Sequence, residues 1–181
     1  MVARRRCATP LRFYMEITLD MLLASRDNRQ AKQMELMSAH PRHTLVCLTV
    51  IMPGAVKRNL HSLIVANAAL TAVLECFRDS LVDIEVHDLV TGYEAYLMVD
   101  LDALRAKEMA CEIEDTHPLG RLFDIDILQP DGLPVSRQQV GHEARKCLLC
   151  DHESRWCMRN HTHTQAELQT CIARMIEEYV G

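Results

Sequence analysis

An α+β fold follows from three features of the sequence. Short aliphatic runs stopped by Pro and Gly alternate with longer helical repeats, the runs and repeats follow a β-α-β-β-α-β order from Thr44 onward, and an amphipathic helix closes the chain. The first element is a predicted helix over residues 15–39, which carries Leu19, Leu22, Leu23, Met34 and Met37 around a polar middle, Ser25 to Gln30, and stops at His40-Pro41. Thr44 to Met52 is rich in β-branched and aliphatic residues and meets Pro53-Gly54, the pattern of a buried strand entering a tight turn. After Lys57 the apolar positions Leu60, Leu63, Ile64, Leu70, Val73, Leu74 and Phe77 recur at the helical period.

Two strand-like runs come next, Val82 to Leu89 and Tyr93 to Val99, with Val90-Thr91-Gly92 as the hairpin between them. Asp100 or Asp102 caps a helix running to about Asp115, with Leu101, Leu104, Met109 and Ile113 on one face, and His117-Pro118 breaks it. Arg121 to Leu128 is the last long strand, turned by Pro130-Asp131-Gly132 into a short return strand at Leu133 to Ser136. This is the split arrangement of ferredoxin-like folds with a helix added in front. Residues 137–163 are rich in Arg, His and Cys without periodicity and read as an irregular appendage. Thr164 with Glu167 forms a capping box for a helix carrying Leu168, Cys171, Ile172, Met175, Ile176 and Tyr179. The expected organisation is an α+β catalytic domain over 15–136, with the Cys/His-rich segment and last helix, 137–181, packed on it.

Composition narrows the function. The 181 residues fit one core, and 49% hydrophobic with 25% charged content excludes disorder. A net charge of −5 argues against nucleic acid as a partner, since phosphate-backbone binding needs clustered Lys and Arg. Arg4-Arg5-Arg6 is followed by no apolar core, so an uncleaved N-terminus is expected. The longest uncharged stretch, Leu45 to Val56, has about a dozen residues against the roughly 20 needed to cross a bilayer, so a soluble, cytoplasmic protein without a membrane partner is expected. Eight cysteines without a signal peptide read as thiols or metal ligands.

Four constellations can carry chemistry. Strand alternation puts Asp124 and Asp126 on one face, about 7 Å apart, with Phe123, Ile125 and Ile127 on the other. Such a pair can hold Mg²⁺ for phosphoryl or nucleotidyl transfer, and it can equally be a solvated strand face. Gly54 and Lys57 stand between a strand and a helix start, where a backbone cradle and a point charge suit phosphate; an ordinary turn with a solvated lysine fits the same pattern. Arg26, Arg29, Arg121, Arg137 and Arg145 could together grip a polyphosphate, while His117 reads as a helix-end residue or a general base. Cys147-Leu148-Leu149-Cys150, then Cys157, then His161 and His163, offer the ligand set of a structural Zn²⁺ site, with a reduced thiol cluster as the alternative.

The string Glu114 to Asp126, with HPLGRLFDID at its heart, resembles the holo-citrate lyase synthases, the apo-citrate lyase phosphoribosyl-dephospho-CoA transferases. Supporting matches are Ser25-Arg26-Asp27 with Arg29-Gln30, Pro53-Gly54 with Lys57, Ser136-Arg137, and Arg145-Lys146-Cys147-Leu148-Leu149-Cys150 with Cys157 and His163, in family order from about residue 20 to 170. Ala55 stands where the family usually has a second proline, and Met158 replaces a common alanine. The resemblance implies that a serine hydroxyl of the citrate lyase acyl carrier subunit attacks the α-phosphate of triphosphoribosyl-dephospho-CoA and diphosphate leaves. It implies Asp124 and Asp126 as Mg²⁺ ligands, with Lys57 and the arginines on the phosphates and Glu114 as a further ligand or base. Cys147, Cys150, Cys157 and His163 then make the zinc site. A non-enzymatic zinc module that docks a carrier, and a transferase using an ordinary nucleoside triphosphate, are the competing readings.

Overall fold

The computed structural model describes residues 14–181, so the arginine cluster at 4–6 and Cys7 lie outside the described residues. The architecture is α+β: four antiparallel strands in the order β2-β3-β1-β4, with five α-helices among the described residues. The strands are β1 (Thr44–Val50), β2 (Leu81–Leu89), β3 (Gly92–Val99) and β4 (Phe123–Leu128). The helices are α1 (Leu19–Ala39), α2 (Leu60–Cys76), α3 (Ala103–Thr116), α4 (Ser154–Asn160) and α5 (Gln165–Val180). No helix among the described residues is long and apolar enough to cross a membrane.

The two sheet faces differ in chemistry because side chains alternate along each strand. Val46, Leu48, Ala95, Leu97, Val99, Phe123, Ile125 and Ile127 point to one side and join α2, α3 and α5 residues in the main core. Full burial of a side chain such as Phe123 or Ile125 stabilises by roughly 1.5–3 kcal/mol. The other face is covered by α1 and carries a smaller cluster of Leu36, Leu45, Cys47, Tyr96, Met98 and Leu128 beside polar residues.

Several boundaries depart from the pattern reading for local reasons. Helix α1 starts at Leu19 rather than residue 15 because the Thr18 side chain accepts from the Met21 N–H and caps it. Several of its apolar residues face solvent: Leu19 is 69% exposed and Met34 60%. What α1 turns inward is Ser25, Arg29, Gln33 and Leu36, a helical stripe that is mostly polar. Arg121 and Leu122, expected as the start of the strand, belong instead to a 3₁₀ turn, Gly120–Leu122, ahead of β4. Gly120 is obligatory there, since a Cβ would sit 2.5 Å from the Glu114 carbonyl oxygen and 2.7 Å from that of Ile113.

The return strand after the Pro130-Asp131-Gly132 turn shrinks to one bridge, Leu128 with Pro134, supported by the Val135 N–H on the Ile127 carbonyl at 2.9 Å. The 137–163 segment is less irregular than expected. It holds a 3₁₀ turn at Arg137–Val140, capped by Ser136 with Gln139, and the short helix α4. Helix α5 begins at the Thr164–Glu167 capping box.

Candidate active site and metal centre

Cross-strand register organises the polar face. Glu94 on β3 pairs with Thr49 on β1, which pairs with Asp124 on β4; one step on, Tyr96 pairs with Cys47, which pairs with Asp126. The alternation of β4 places both aspartates on this face, opposite Phe123, Ile125 and Ile127. Thr49 Oγ1 donates to Asp124 Oδ2 at 3.3 Å, and the Arg145 guanidinium lies 3.8 Å from Asp124 Oδ1. Solvent reaches Asp126, yet the surrounding protein removes enough water, with the Asp124 charge adding to it, to raise its carboxyl above the ordinary aspartate range. Lys107, Arg145 and Arg29 pull the other way, so two arginines flank the acid pair.

Arg29 reaches this face from α1. Its Nε donates to Glu94 Oε1 at 3.0 Å, while the Tyr96 hydroxyl donates to Glu94 Oε2 at 2.6 Å. Gln33, one turn further, donates to Cys47 Sγ at 3.4 Å, and Ser25 Oγ donates to Thr91 Oγ1 at 3.1 Å, which anchors α1 to the β2–β3 hairpin. Burial pushes the Cys47 thiol up to about 12, so it stays protonated and inert. Arg26 is exposed on α1.

Glu114 is not in this group. It is a buried α3 residue whose Oε1 accepts the Ile125 N–H at 2.9 Å and lies 3.2 Å from Arg145, while Oε2 accepts from Arg137 Nη1 at 2.7 Å. Both oxygens are therefore occupied. Lys107, two turns earlier on α3, donates to the Ile125 carbonyl at 2.9 Å. Strand β4 is the sheet edge, and these two side chains satisfy the backbone groups that the edge leaves open. Arg137 also grips both oxygens of Asp115 at 2.7 Å, and Arg145 donates to the Phe123 carbonyl. Arg121 donates to the Lys146 carbonyl and so ties the start of β4 to the cysteine segment.

His117 sits across the sheet from the acid pair. Its ring packs on Phe123 and Tyr179 at centroid separations of 4.8 and 5.6 Å, and Nδ1 accepts the Leu119 N–H at 3.0 Å. Burial lowers its pKa, which favours the neutral ring. His117 thus meets β4 on its core face, while Glu114 meets it at the edge and shares Arg145 with Asp124.

The 53–57 turn departs from a phosphate loop. Gly54 has φ +96, and a Cβ there would lie 2.2 Å from the Gln165 side-chain nitrogen, so α5 covers the turn. Lys57 precedes the α2 N-cap Asn59, and its Nζ donates to the Met52 carbonyl at 2.6 Å. Burial lowers its pKa.

Cys147, Cys150, Cys157 and His163 converge as their spacing suggests. Their ligand atoms all lie within 4.8 Å of one another, a cluster that could hold a metal ion. Cys150 Sγ is 3.4 Å from Cys157 Sγ and 3.3 Å from His163 Nε2. A tetrahedral ion with metal–sulfur bonds of about 2.3 Å separates its sulfurs by roughly 3.8 Å, so the donor set fits. Cys147 and Cys150 come from a knuckle closed by the Lys146–Glu153 bridge, Cys157 from α4, and His163 from the approach to α5. His161 is instead the left-handed residue, φ 47, that ends α4.

Sequence reasoning missed Glu94, Tyr96, Thr49 and Gln33. Only the cross-strand register and the turn of α1 bring them beside the acid pair, and no local motif marks them.

The domain thus combines an acid pair flanked by arginines with a separate Cys/His cluster that could hold a metal ion. The family model for apo-citrate lyase phosphoribosyl-dephospho-CoA transferase matches residues 17–179. A Vibrio cholerae relative named "Probable apo-citrate lyase phosphoribosyl-dephospho-CoA transferase" is 36% identical over 169 residues, 91% of this chain and 94% of the relative. The Citrobacter koseri and Escherichia coli O1:K1 proteins, named apo-citrate lyase phosphoribosyl-dephospho-CoA transferase, are each 34% identical, over 84% of both chains for the first and 90% of both for the second. The chain belongs to the apo-citrate lyase phosphoribosyl-dephospho-CoA transferase family.

Proposed function

We propose that the protein attaches the phosphoribosyl-dephospho-CoA group to a serine of the citrate lyase acyl carrier subunit, using triphosphoribosyl-dephospho-CoA as donor and releasing diphosphate. The observation that carries this reading is family membership along nearly the whole chain, residues 17–179. The fold reading goes with it: the β1-α2-β2-β3-α3-β4 order and the β2-β3-β1-β4 sheet support a ferredoxin-like core over 15–136 with 137–181 packed on it.

Asp124 and Asp126 are the residues that would hold Mg²⁺. Bound there, it would neutralise phosphate oxygens and lower the barrier to attack by the serine hydroxyl. The donor set supports this, because two carboxylates on one open strand face are hard oxygen ligands. Thr49 orients Asp124 through its hydroxyl hydrogen bond. Arg29 and Arg145 bind phosphate oxygens and stabilise negative charge as the diphosphate departs. Arg145 is suited to both tasks, since its partners Glu114 and the Phe123 carbonyl fix its position on β4. Arg26 and Lys57 are outer phosphate contacts; Lys57 would exchange the Met52 carbonyl for substrate.

Zinc is the metal we assign to Cys147, Cys150, Cys157 and His163, on their soft and borderline donors and their mutual spacing. Its role is structural, because it pins the knuckle, α4 and the start of α5 together. Cysteine chemistry of this kind supports a reducing, cytoplasmic setting.

The test is intact-mass spectrometry of apo-carrier incubated with purified protein, Mg²⁺ and triphosphoribosyl-dephospho-CoA. A carrier mass increase equal to the phosphoribosyl-dephospho-CoA group, lost when the target serine is replaced by alanine, is expected. No mass change on a folded carrier would overturn the reading, and transfer of an ordinary nucleotide in its place would favour the nucleoside triphosphate alternative.

A further inference from the structure

Glu94 is a buried carboxylate on the polar sheet face, 4% exposed, in the same cross-strand row as Thr49 and Asp124. A buried carboxylate is costly unless its partners are well placed. Here both oxygens are engaged, one by Arg29 Nε at 3.0 Å and one by the Tyr96 hydroxyl at 2.6 Å. Tyr96 is 2% exposed, and burial, followed by the Glu94 contact, raises its phenol pKa, so it remains a donor at every physiological pH. Glu94 is thus held from behind and turns its other oxygen to α1.

The bond it makes is selective. It uses the inner N–H of the guanidinium, and among the described residues neither terminal nitrogen of Arg29 has a protein partner. The Arg29 side chain stays 31% exposed, and its charge acts on both Cys47 and Asp126. An arginine held at Nε presents its two terminal nitrogens as a fork, the geometry that grips two oxygens of one phosphate. An arginine needed only for packing would not require a buried carboxylate and a buried tyrosine to set its direction.

We propose that Glu94 is a positioning residue, which with Tyr96 behind it aims the Arg29 fork at a phosphate group of the polyphosphate substrate bound beside Asp124 and Asp126. The proposal rests on the transferase reading for the identity of the substrate, while the aiming of Arg29 concerns any polyphosphate at this face. Cys47, the other buried group nearby, takes no part: its thiol is protonated and bound by Gln33.

The experiment is a double-mutant cycle read by calorimetric binding of triphosphoribosyl-dephospho-CoA, and of inorganic diphosphate as a probe, each with Mg²⁺. Arg29→Ala should weaken both ligands about tenfold or more, the worth of one charge-assisted phosphate contact. Glu94→Gln should weaken them comparably, and the double variant should lose little beyond either single change. Tyr96→Phe should give a smaller loss in the same direction, and it preserves the Glu94–Arg29 pair should Glu94→Gln fold poorly. Wild-type affinity in Arg29→Ala, unchanged affinity in folded Glu94→Gln, or fully additive losses would each overturn the proposal, because a merely structural Glu94 would move melting temperature and leave affinity alone. Failure of the wild-type protein to modify carrier, with the coupled affinity losses intact, would remove the transferase reading and leave the positioning role standing.

Discussion

Glu114 and Lys107 hold opposite sides of one peptide residue: Glu114 accepts the Ile125 N–H and Lys107 donates to the Ile125 carbonyl, each at 2.9 Å. The two charged side chains, seven residues apart on α3, thereby do for the edge of β4 what a fifth strand would do. They also fix the register of the residue between Asp124 and Asp126, so the acid pair is positioned from the outside of the sheet. Glu114→Ala would strand the Ile125 N–H and take a buried carboxylate from Arg137 and Arg145, which would keep Asp115 and the Phe123 carbonyl respectively. Removing one partner of a buried ionic group typically costs 3–5 kcal/mol, and a loss of about that size in urea denaturation is expected. Glu114→Gln keeps the acceptor for Ile125 and should cost less; equal stability of Glu114→Ala and wild type would contradict the edge-clamp account.

The strands and the Cys/His cluster were legible in the sequence because their signals are local. β-branched residues mark β1 and β2, alternation sorts Asp124 and Asp126 from Phe123, Ile125 and Ile127, and the CxxC spacing with a third Cys and a His closes within 17 residues. Helix α1 was legible as a helix, but the face it turns inward was not, because periodicity arguments look for apolar residues inside. Its inward stripe, Ser25, Arg29, Gln33 and Leu36, is polar because it covers a sheet face built around a buried acid. Glu94 was invisible for the same reason: its partner Arg29 is 65 residues away, and nothing in the run Gly92–Val99 shows that a carboxylate there is paired. Glu114 entered through the family resemblance and His117 as a helix-end residue or base; no local pattern shows that the first meets β4 from the sheet edge and the second from its core face.

His117 predicts a pH effect on stability. Burial lowers its folded pKa below the ordinary 6.5, so between those two values the unfolded chain binds the proton more readily than the folded one. Stability therefore falls as pH drops from about 6.5 toward the folded value. His117→Asn, which can still accept from the Leu119 N–H, should flatten the fall in urea midpoint between neutral and mildly acidic pH. An undiminished slope in that variant would assign the effect to other groups. Because Nδ1 is occupied and the ring lies across the sheet from the acid pair, the same variant should retain most of the transfer rate.

The Cys/His cluster joins three pieces of chain, and α4 among them carries Trp156, the single tryptophan of the sequence. Metal removal should therefore be visible in tryptophan emission. Protein purified without added metal should contain about one zinc per chain by the ligand count of such a site. A strong chelator, or Cys150→Ser, should red-shift Trp156 emission and lower the melting temperature, since metal binding at structural sites is coupled to folding. Metal-free protein with unchanged emission and melting temperature would show that the four residues form only a thiol cluster.

The acid pair gives the sharpest functional test. Asp124→Asn and Asp126→Asn keep size and hydrogen-bonding capacity but remove the charge that would hold Mg²⁺. The fold should survive both changes, because the backbone of β4 is held by Glu114, Lys107 and Arg145 rather than by the aspartates. Asp126 adds a sign to the argument. Its carboxyl titrates above the ordinary range, so ionising it costs the folded state free energy as pH rises through that window. Asp126→Asn should accordingly be at least as stable as wild type at neutral pH while losing transfer. The expected loss for either variant is roughly a hundredfold or more, equivalent to about 2.7 kcal/mol of barrier, against the roughly 0.5 kcal/mol stability change typical of a solvated surface position. Carrier modification measured over a range of Mg²⁺ concentrations, with circular dichroism in parallel, separates the outcomes. Near-normal turnover in folded Asp124→Asn or Asp126→Asn protein would return the pair to a solvated strand face, and a loss rescued by raised Mg²⁺ would identify weakened metal binding as its cause.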